Sequence, residues 1–123
     1  SLIEQQIIQQ YFGRMTALIY LMESGVYRAA RDADAKGLDA IRAEAAVLKL
    51  TCSEMSEEVI DTALQILGGE GYSEEYPIAR MYRDSRVNRI FEGTNEIQIL
   101  SIFKEVYRRN GMMDNIFNPV PLG

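Results

Sequence analysis

Histidine and tryptophan are absent from this 123-residue chain, and cysteine occurs once, at Cys52. Without an imidazole, histidine-based metal sites and every serine–histidine or cysteine–histidine catalytic pair are excluded. A single thiol excludes an intramolecular disulfide framework and a cysteine zinc cluster. Proton transfer must therefore use carboxylates, tyrosines or lysines. Proline is scarce, at Pro77, Pro119 and Pro121, so long uninterrupted helices are open to the chain. No run approaches the ~20 apolar residues that span a bilayer, and the N-terminus lacks the basic-then-apolar pattern of a signal peptide. Positive charge is also in short supply, with 13 Lys and Arg against 18 Asp and Glu and a net charge of -5. That balance argues against nucleic acid or an anionic membrane as the main partner.

What is present points to helices. Apolar residues make up 47% of the chain and charged residues 25%, a composition that packs one domain and argues against disorder. From residue 3 to about 35, apolar side chains return every three or four positions, through Ile3, Ile7, Tyr11, Met15, Leu18, Met22, Val26, Ala29 and Ala33. This predicts one long helix. Gly13 and Gly25 each weaken it by about 1 kcal/mol relative to alanine, so packing must hold it. Lys36-Gly37 supplies the stop, a cation at the negative end of the helix dipole followed by a residue free to take the left-handed cap. Asp39 is the expected N-cap of a second long helix with the stripe Ile41, Ala45, Leu48, Cys52, Met55, Val59, Thr62 and Ile66. Gly68, Gly69 and Gly71 are expected to end it. The segment from Tyr72 to Pro77 reads as an extended loop, because a proline biases the residue before it away from helical dihedrals. A shorter helix is expected from about Ile78 to Asn88. Thr94 is expected to cap a fourth, carrying Ile97, Leu100, Phe103 or Lys104, and Tyr107. Gly111 ends that helix, and the tail over 111–123 is expected to be extended or disordered. With strand patterns nearly absent, the fold class is all-α: an antiparallel helical bundle of two long helices and two shorter ones over residues 3–110.

Five features bear on chemistry. Glu54, Glu57, Glu58 and Asp61 share one helical face. A carboxylate di-iron bundle uses such acids but pairs them with histidines, so a solvated acidic face is expected and no metal site. Cys52 lies on the apolar stripe, where a buried inert thiol is expected. Arg80, Arg83, Arg86 and Arg89 recur at every third position, with Asp84 four after Arg80. They form either a phosphate patch or a basic face paired with Asp84 and the acidic helix; the negative net charge and the lack of interleaved aromatics favour the second. The stretch Gln65-Ile66-Leu67-Gly68-Gly69-Glu70-Gly71-Tyr72 either opens the backbone to a ligand or forms a helix C-cap and turn. Because it follows a helix rather than a strand, it is neither a dinucleotide fingerprint nor a P-loop. Glu92, set between Ile90-Phe91 and Gly93-Thr94, is either a general base whose pKa an apolar setting raises or a surface acid that compensates a helix dipole.

Together these motifs narrow the choice. The run QILGGEGYSEEYPIARMYRDSRVNRIFEGTNEIQIL, from Gln65 to Leu100, closely resembles the C-terminal helical domain of the acyl-CoA dehydrogenases, flavoenzymes that oxidise acyl-CoA thioesters at Cα and Cβ. Four separated elements match at family spacing: the QILGGEGY turn, the YP kink, the Arg83-Asp84 pair and EGTNEIQ. The two long helices before them fit the same family through a pattern generic to bundles. The resemblance thus covers nearly all of residues 3–110.

It implies a role for each matching position. Glu92 falls on the catalytic base, which removes the Cα proton while hydride leaves Cβ for the flavin of FAD. Phe91 and Gly93 fall on substrate-binding positions, the first lining the acyl pocket and the second beside the thioester. Thr94 and Glu96 occupy positions that approach FAD. Gln65, Ile66, Leu67, Gly68 and Gly69 resemble the segment that touches the FAD of a neighbouring subunit, which implies a homodimer or homotetramer sharing its cofactor across an interface. Arg83-Asp84 is expected to be structural. The implied partners are an acyl-CoA substrate and an electron-transfer flavoprotein as acceptor, in the cytoplasm of a bacterium or the mitochondrial matrix of a eukaryote, with no targeting segment in this chain. The family's enzymes are much longer and add an N-terminal helical domain and a central β-domain. Beginning with a helical pattern already under way at Ile3, the chain reads as an excised domain, inactive by itself. The alternative reading is a non-catalytic helical oligomerisation module of the same fold.

Overall fold

The computed structural model describes residues 4–111. Its elements are α1 (Gln6–Lys36), a 3-10 turn (Leu38–Ile41), α2 (Arg42–Tyr72), α3 (Pro77–Ser85), a second 3-10 turn (Arg86–Arg89) and α4 (Asn95–Arg109). No strand occurs among the described residues, and the expected all-α bundle of two long and two shorter helices is what forms. Ile3 and the tail from Met112 onward, for which an extended or disordered course is expected, lie outside the described residues.

Gly37 ends α1 as expected. It takes φ 86° and donates its N–H to Ala33 O at 2.8 Å, while the Lys36 ammonium reaches Asp32 at 3.5 Å. Asp39 does not cap α2. The chain leaves Gly37 into a tight 3-10 turn, which places Asp39 three residues ahead of Arg42, and Asp39 Oδ1 accepts from Arg42 Nε at 3.0 Å and Nη2 at 2.6 Å instead. The glycine cluster breaks α2 once rather than ending it. Gly68 alone leaves helical dihedrals, at φ 59° and ψ -140°, and the helix resumes through Tyr72. Gly71 is helical and closely packed: a Cβ there would stand 2.6 Å from Leu67 Cβ and 3.0 Å from the Leu64 carbonyl oxygen, with Ile78 of α3 3.5 Å away. Tyr76 is extended at φ -104° and ψ 138°, and Pro77 opens α3 at a position where its missing N–H has no partner to lose.

The central element is α2, which packs against α1, α3 and α4. Contacts fix the directions: Gly25 approaches Leu48 and Arg14 reaches Glu58 across α1 and α2, while Asn95 meets Ser53 and Arg109 meets Glu44 across α4 and α2. Both outer helices therefore run antiparallel to α2. The buried apolar positions are small or slender, Ala43, Ala46 and Ala79 with Ile8 and Met15, and among the described residues no large side chain is fully enclosed. The expected α1 stripe is only partly inward, since Ile7 and Val26 are each 50% exposed.

Two expectations are refined by this arrangement. The acidic face of α2 stays in part open to solvent, with Glu54 and Asp61 exposed, and is in part paired: Glu57 meets Arg89 at 2.8 Å, Glu58 meets Arg14, and Glu54 accepts from Asn95 Nδ2 at 3.4 Å. On α4 the inward face is polar, with Asn95 and Glu105 buried, whereas Ile97, Leu100 and Phe103 point outward. The basic residues behave as the paired reading expects, Arg80 with Asp84 at 3.5 Å and Arg89 with Glu57, although Arg83 turns to Glu74 at 3.4 Å.

Candidate active site

Between the second 3-10 turn and α4 lies the loop Phe91-Glu92-Gly93, whose backbone is the unusual part of the chain. Glu92 has φ 54° and is the one non-glycine residue among those described with a positive φ. Such a conformation costs an L-residue about 1–2 kcal/mol, so the surroundings must impose it. Gly93 follows at φ 84°, and a Cβ there would also stand 2.8 Å from Gln98 Nε2. Three hydrogen bonds hold the two carbonyls of this strained pair. Lys49 Nζ donates to Gly93 O at 2.8 Å, and Gln98 Nε2 donates to Glu92 O at 3.1 Å and Gly93 O at 3.3 Å. Lys49 also donates to Asn95 Oδ1 at 2.9 Å. Asn95, 4% exposed, passes its own amide to Ser53 Oγ at 3.0 Å, completing a buried polar tie between α2 and α4.

The Glu92 carboxylate itself has no partner among the described residues. With Phe91 it lines an open groove of about 390 Å³, completed by Met22, Lys49, Cys52, Ser53, Ser56 and Asn88. The apolar enclosure expected around it is not supplied by this chain: Glu92 is exposed, and Ile90 and Phe91 are 52% and 50% exposed. Cys52 is half-buried on the inner stripe, and burial pushes its thiol pKa up, as befits an inert thiol.

Thr94 caps α4 as expected, its Oγ1 accepting from Ile97 N–H at 3.4 Å. Glu96 stands in the first turn, where its own backbone N–H and then the Thr94 hydroxyl hold its carboxyl below the usual carboxylate range, with Arg89 and Lys49 adding to the effect. Phe91, Glu92, Gly93, Thr94 and Glu96 thus gather at one end of α4. The segment Gln65 to Gly69 does not join them. Gln65 lies thirteen positions beyond Cys52 on α2, roughly 20 Å along the axis at 1.5 Å per residue. There Gln65, Leu67, Gly68 and Gly69 are exposed, and open space surrounds the position of a Cβ at Gly68 and Gly69.

Sequence reasoning passes over Lys49, Asn95 and Gln98. The available signal was Lys49, a lone charge inside the run Ala45-Ala46-Val47-Leu48-Lys49-Leu50, since a cation set among apolar neighbours is normally satisfied by a specific acceptor. Among the described residues no group of His, Cys, Asp or Glu is arranged to hold a metal ion, and no helix is long and apolar enough to cross a membrane.

An all-α bundle that presents an unpaired carboxylate on a strained loop at a helix start defines a class of helical domain with a candidate base at its edge. Comparison with known proteins makes the class specific. The family model for the acyl-CoA dehydrogenase C-terminal domain matches residues 1–107, and the chain belongs to that family. It is 38% identical over 113 residues to a probable acyl-CoA dehydrogenase of Bacillus subtilis, covering 78% of this chain and 19% of that protein. It is 41% identical over 91 residues to the mouse mitochondrial very long-chain specific acyl-CoA dehydrogenase, covering 74% of this chain and 14% of that protein. The chain therefore spans less than a fifth of these relatives' length. Among solved structures, a putative acyl-CoA dehydrogenase from Mycobacterium smegmatis superposes with a TM-score of 0.78 at 29% identity, over 90% of this chain and 28% of that one. The acyl-CoA dehydrogenase of Slackia heliotrinireducens gives 0.81 at 27%, over 89% of this chain and 28% of that one.

Proposed function

We propose that this chain is the part of a flavin-dependent acyl-CoA dehydrogenase that carries the catalytic base, Glu92, and that the complete enzyme converts an acyl-CoA thioester to its trans-2-enoyl-CoA. The observation that carries this reading is the free Glu92 carboxylate, exposed on a backbone held at positive φ, in a chain that belongs to the family.

The chain's residues fit two edges of an FAD site rather than a whole one. The unpaired carboxylate beside Phe91, on an open groove of about 390 Å³, suits one wall of a site for a reacting acyl chain, and the uncluttered backbone at Gly68 and Gly69 suits close approach by a cofactor. When bound, FAD supplies the acceptor for a hydride from the substrate's Cβ. Glu92 takes the proton from Cα, whose acidity the thioester carbonyl raises, and the electron pair of that C–H bond becomes the new Cα–Cβ double bond. Phe91 lines the acyl chain's path, and Gly93 leaves room beside the thioester. Thr94 and Glu96 face the cofactor from the start of α4. Gln65 to Gly69, too far from Glu92 to reach the same ring, would touch the FAD of a second subunit. Such sharing requires a homodimer or homotetramer, and an electron-transfer flavoprotein then reoxidises the cofactor. The mitochondrial name of the mouse relative supports a mitochondrial location for a eukaryotic parent.

The test is product formation. The FAD-loaded full-length dehydrogenase, mixed with saturated acyl-CoA thioesters of several chain lengths, should yield enoyl-CoA with bleaching of the flavin for at least one of them. No bleaching with any would overturn the reading.

A further inference from the structure

The free carboxylate of Glu92 and the tethered backbone beneath it are two halves of one arrangement. A base must present its oxygen to one particular C–H bond, yet an exposed glutamate on a loop has several rotatable bonds and no side-chain partner to orient it. What the chain fixes instead is the backbone from which that side chain grows. All three hydrogen bonds to the Glu92 and Gly93 carbonyls come from just two side chains, Lys49 on α2 and Gln98 on α4. The Lys49 bond is charge-assisted and therefore the stronger kind, and its ammonium is itself pinned by Asn95 at 2.9 Å. Asn95 is anchored in turn by Ser53 at 3.0 Å. The clamp thus ties the loop to the central helix through Lys49 and to α4 through Gln98.

We infer that Lys49, working with Gln98, is the positioning residue for Glu92: Lys49 holds the Gly93 carbonyl while Gln98 holds those of Glu92 and Gly93, and together they keep the base's backbone at positive φ and its carboxylate aimed at the substrate. The inference rests on the reading of Glu92 as the base. Lys49 touches neither proton nor hydride in this scheme. Its cation is spent on Gly93 O and Asn95 Oδ1, and it makes no ion pair with the Glu92 carboxylate among the described residues. Methionine at position 49 would keep the stem's packing and lose both bonds. Arginine would keep the charge and the donors in a different shape.

The experiment compares Lys49→Met, Lys49→Arg and Glu92→Gln in the FAD-loaded full-length dehydrogenase. Stopped-flow bleaching by acyl-CoA separates the limiting rate from substrate affinity. Hydrogen exchange of the segment 87–98 reports the loop directly, because Phe91 N–H and Gln98 N–H bond to Val87 O and Thr94 O on either side of it. For Lys49→Met, exchange of that segment should quicken, and the limiting rate should fall by about 10- to 100-fold, the scale expected for a misplaced reacting group. Substrate affinity should stay within about twofold, since positioning acts on the reacting geometry rather than on uniform binding. Lys49→Arg should lie closer to the parent in both readouts. Unchanged exchange, or an unchanged limiting rate, would overturn the inference, as would a loss confined to affinity. Should Lys49→Met fail to fold, Gln98→Ala removes the other two bonds from the half-exposed side of α4 and must show the same pattern. Failure of the underlying reading looks different: Glu92→Gln would then react at the parental rate, whatever Lys49→Met does to the loop.

Discussion

Arg109, at the last position of α4, grips Glu44, in the first turn of α2, through both of its terminal nitrogens: Nη1 to Oε1 at 2.9 Å and Nη2 to Oε2 at 3.0 Å. The same guanidinium donates to Ala40 O at 2.9 Å and, through Nε, to Glu105 Oε1 at 3.3 Å. One side chain thereby ties down the end of α4 opposite Asn95. Such forked pairs fix geometry as well as adding energy. With the Lys49-Asn95-Ser53 tie at the other end, α4 is registered against α2 by polar contacts at both ends, which explains how the helix can turn its apolar residues outward.

Glu105 is the titrating member of this cluster. Arg108, bonding it at 3.0 Å and 2.5 Å, and then Arg109 pull its pKa from 4.5 down to about 2. A carboxylate with a depressed folded pKa stabilises the fold above its unfolded pKa and loses that contribution as pH falls toward the folded one. Glu105→Gln should therefore lower the melting temperature at neutral pH, and the deficit should shrink as pH falls from about 4.5 to about 2. Melting curves of parent and variant across that range check it; a deficit that does not change with pH would assign the effect to packing.

Two glycines in helices should respond oppositely to alanine. At Gly13 nothing lies within 4 Å of a new Cβ, so Gly13→Ala should stabilise by about 0.5–1 kcal/mol through helix propensity alone. At Gly71 a Cβ meets Leu67 Cβ at 2.6 Å and the Leu64 carbonyl at 3.0 Å, and overpacking of this kind typically costs about 1–3 kcal/mol. Thermal unfolding of the pair decides it, and a stabilised Gly71→Ala would contradict the packing described for the segment after Gly68.

The outward apolar residues call for a cover. Phe12 and Ile19 on α1 are 44% and 42% exposed, Leu100 and Phe103 on α4 55% and 54%, and Phe103 lies against Tyr107, with ring centroids 4.2 Å apart. Contiguous exposed apolar surface drives association. The 123-residue chain should self-associate at high micromolar concentration, and Phe103→Glu should weaken that association. Light scattering that finds a monomer for the parent would count against it.

Much of this was legible in the sequence, for identifiable reasons. The fold class followed from a period of three to four residues sustained over two long segments, and the stop at Gly37, the extended Tyr76 and the Thr94 cap each followed from the local chemistry of one residue. The inward face of α4 was not legible. Periodicity selects Ile97, Leu100 and Phe103, but the face that meets α2 is chosen by Asn95 and Arg109, whose partners lie 42 and 65 positions away in the chain. Which acids of α2 find a partner was hidden for the same cause, since Arg14 and Arg89 lie 44 and 32 positions from Glu58 and Glu57. At the site, Phe91, Glu92 and Gly93 could be singled out from sequence because their motif is contiguous. Lys49 could not, because its acceptor lies 44 positions away.

The most direct test of the account is the reductive half-reaction of Glu92→Gln in the FAD-loaded full-length dehydrogenase. Glutamine keeps the shape of the side chain and cannot accept the Cα proton, so flavin content should match the parent. The rate at which acyl-CoA bleaches the flavin should fall by about 100- to 10,000-fold, the range attributed to a positioned general base. Bleaching within about tenfold of the parental rate, with FAD fully bound, would place the proton elsewhere and contradict the assignment of Glu92.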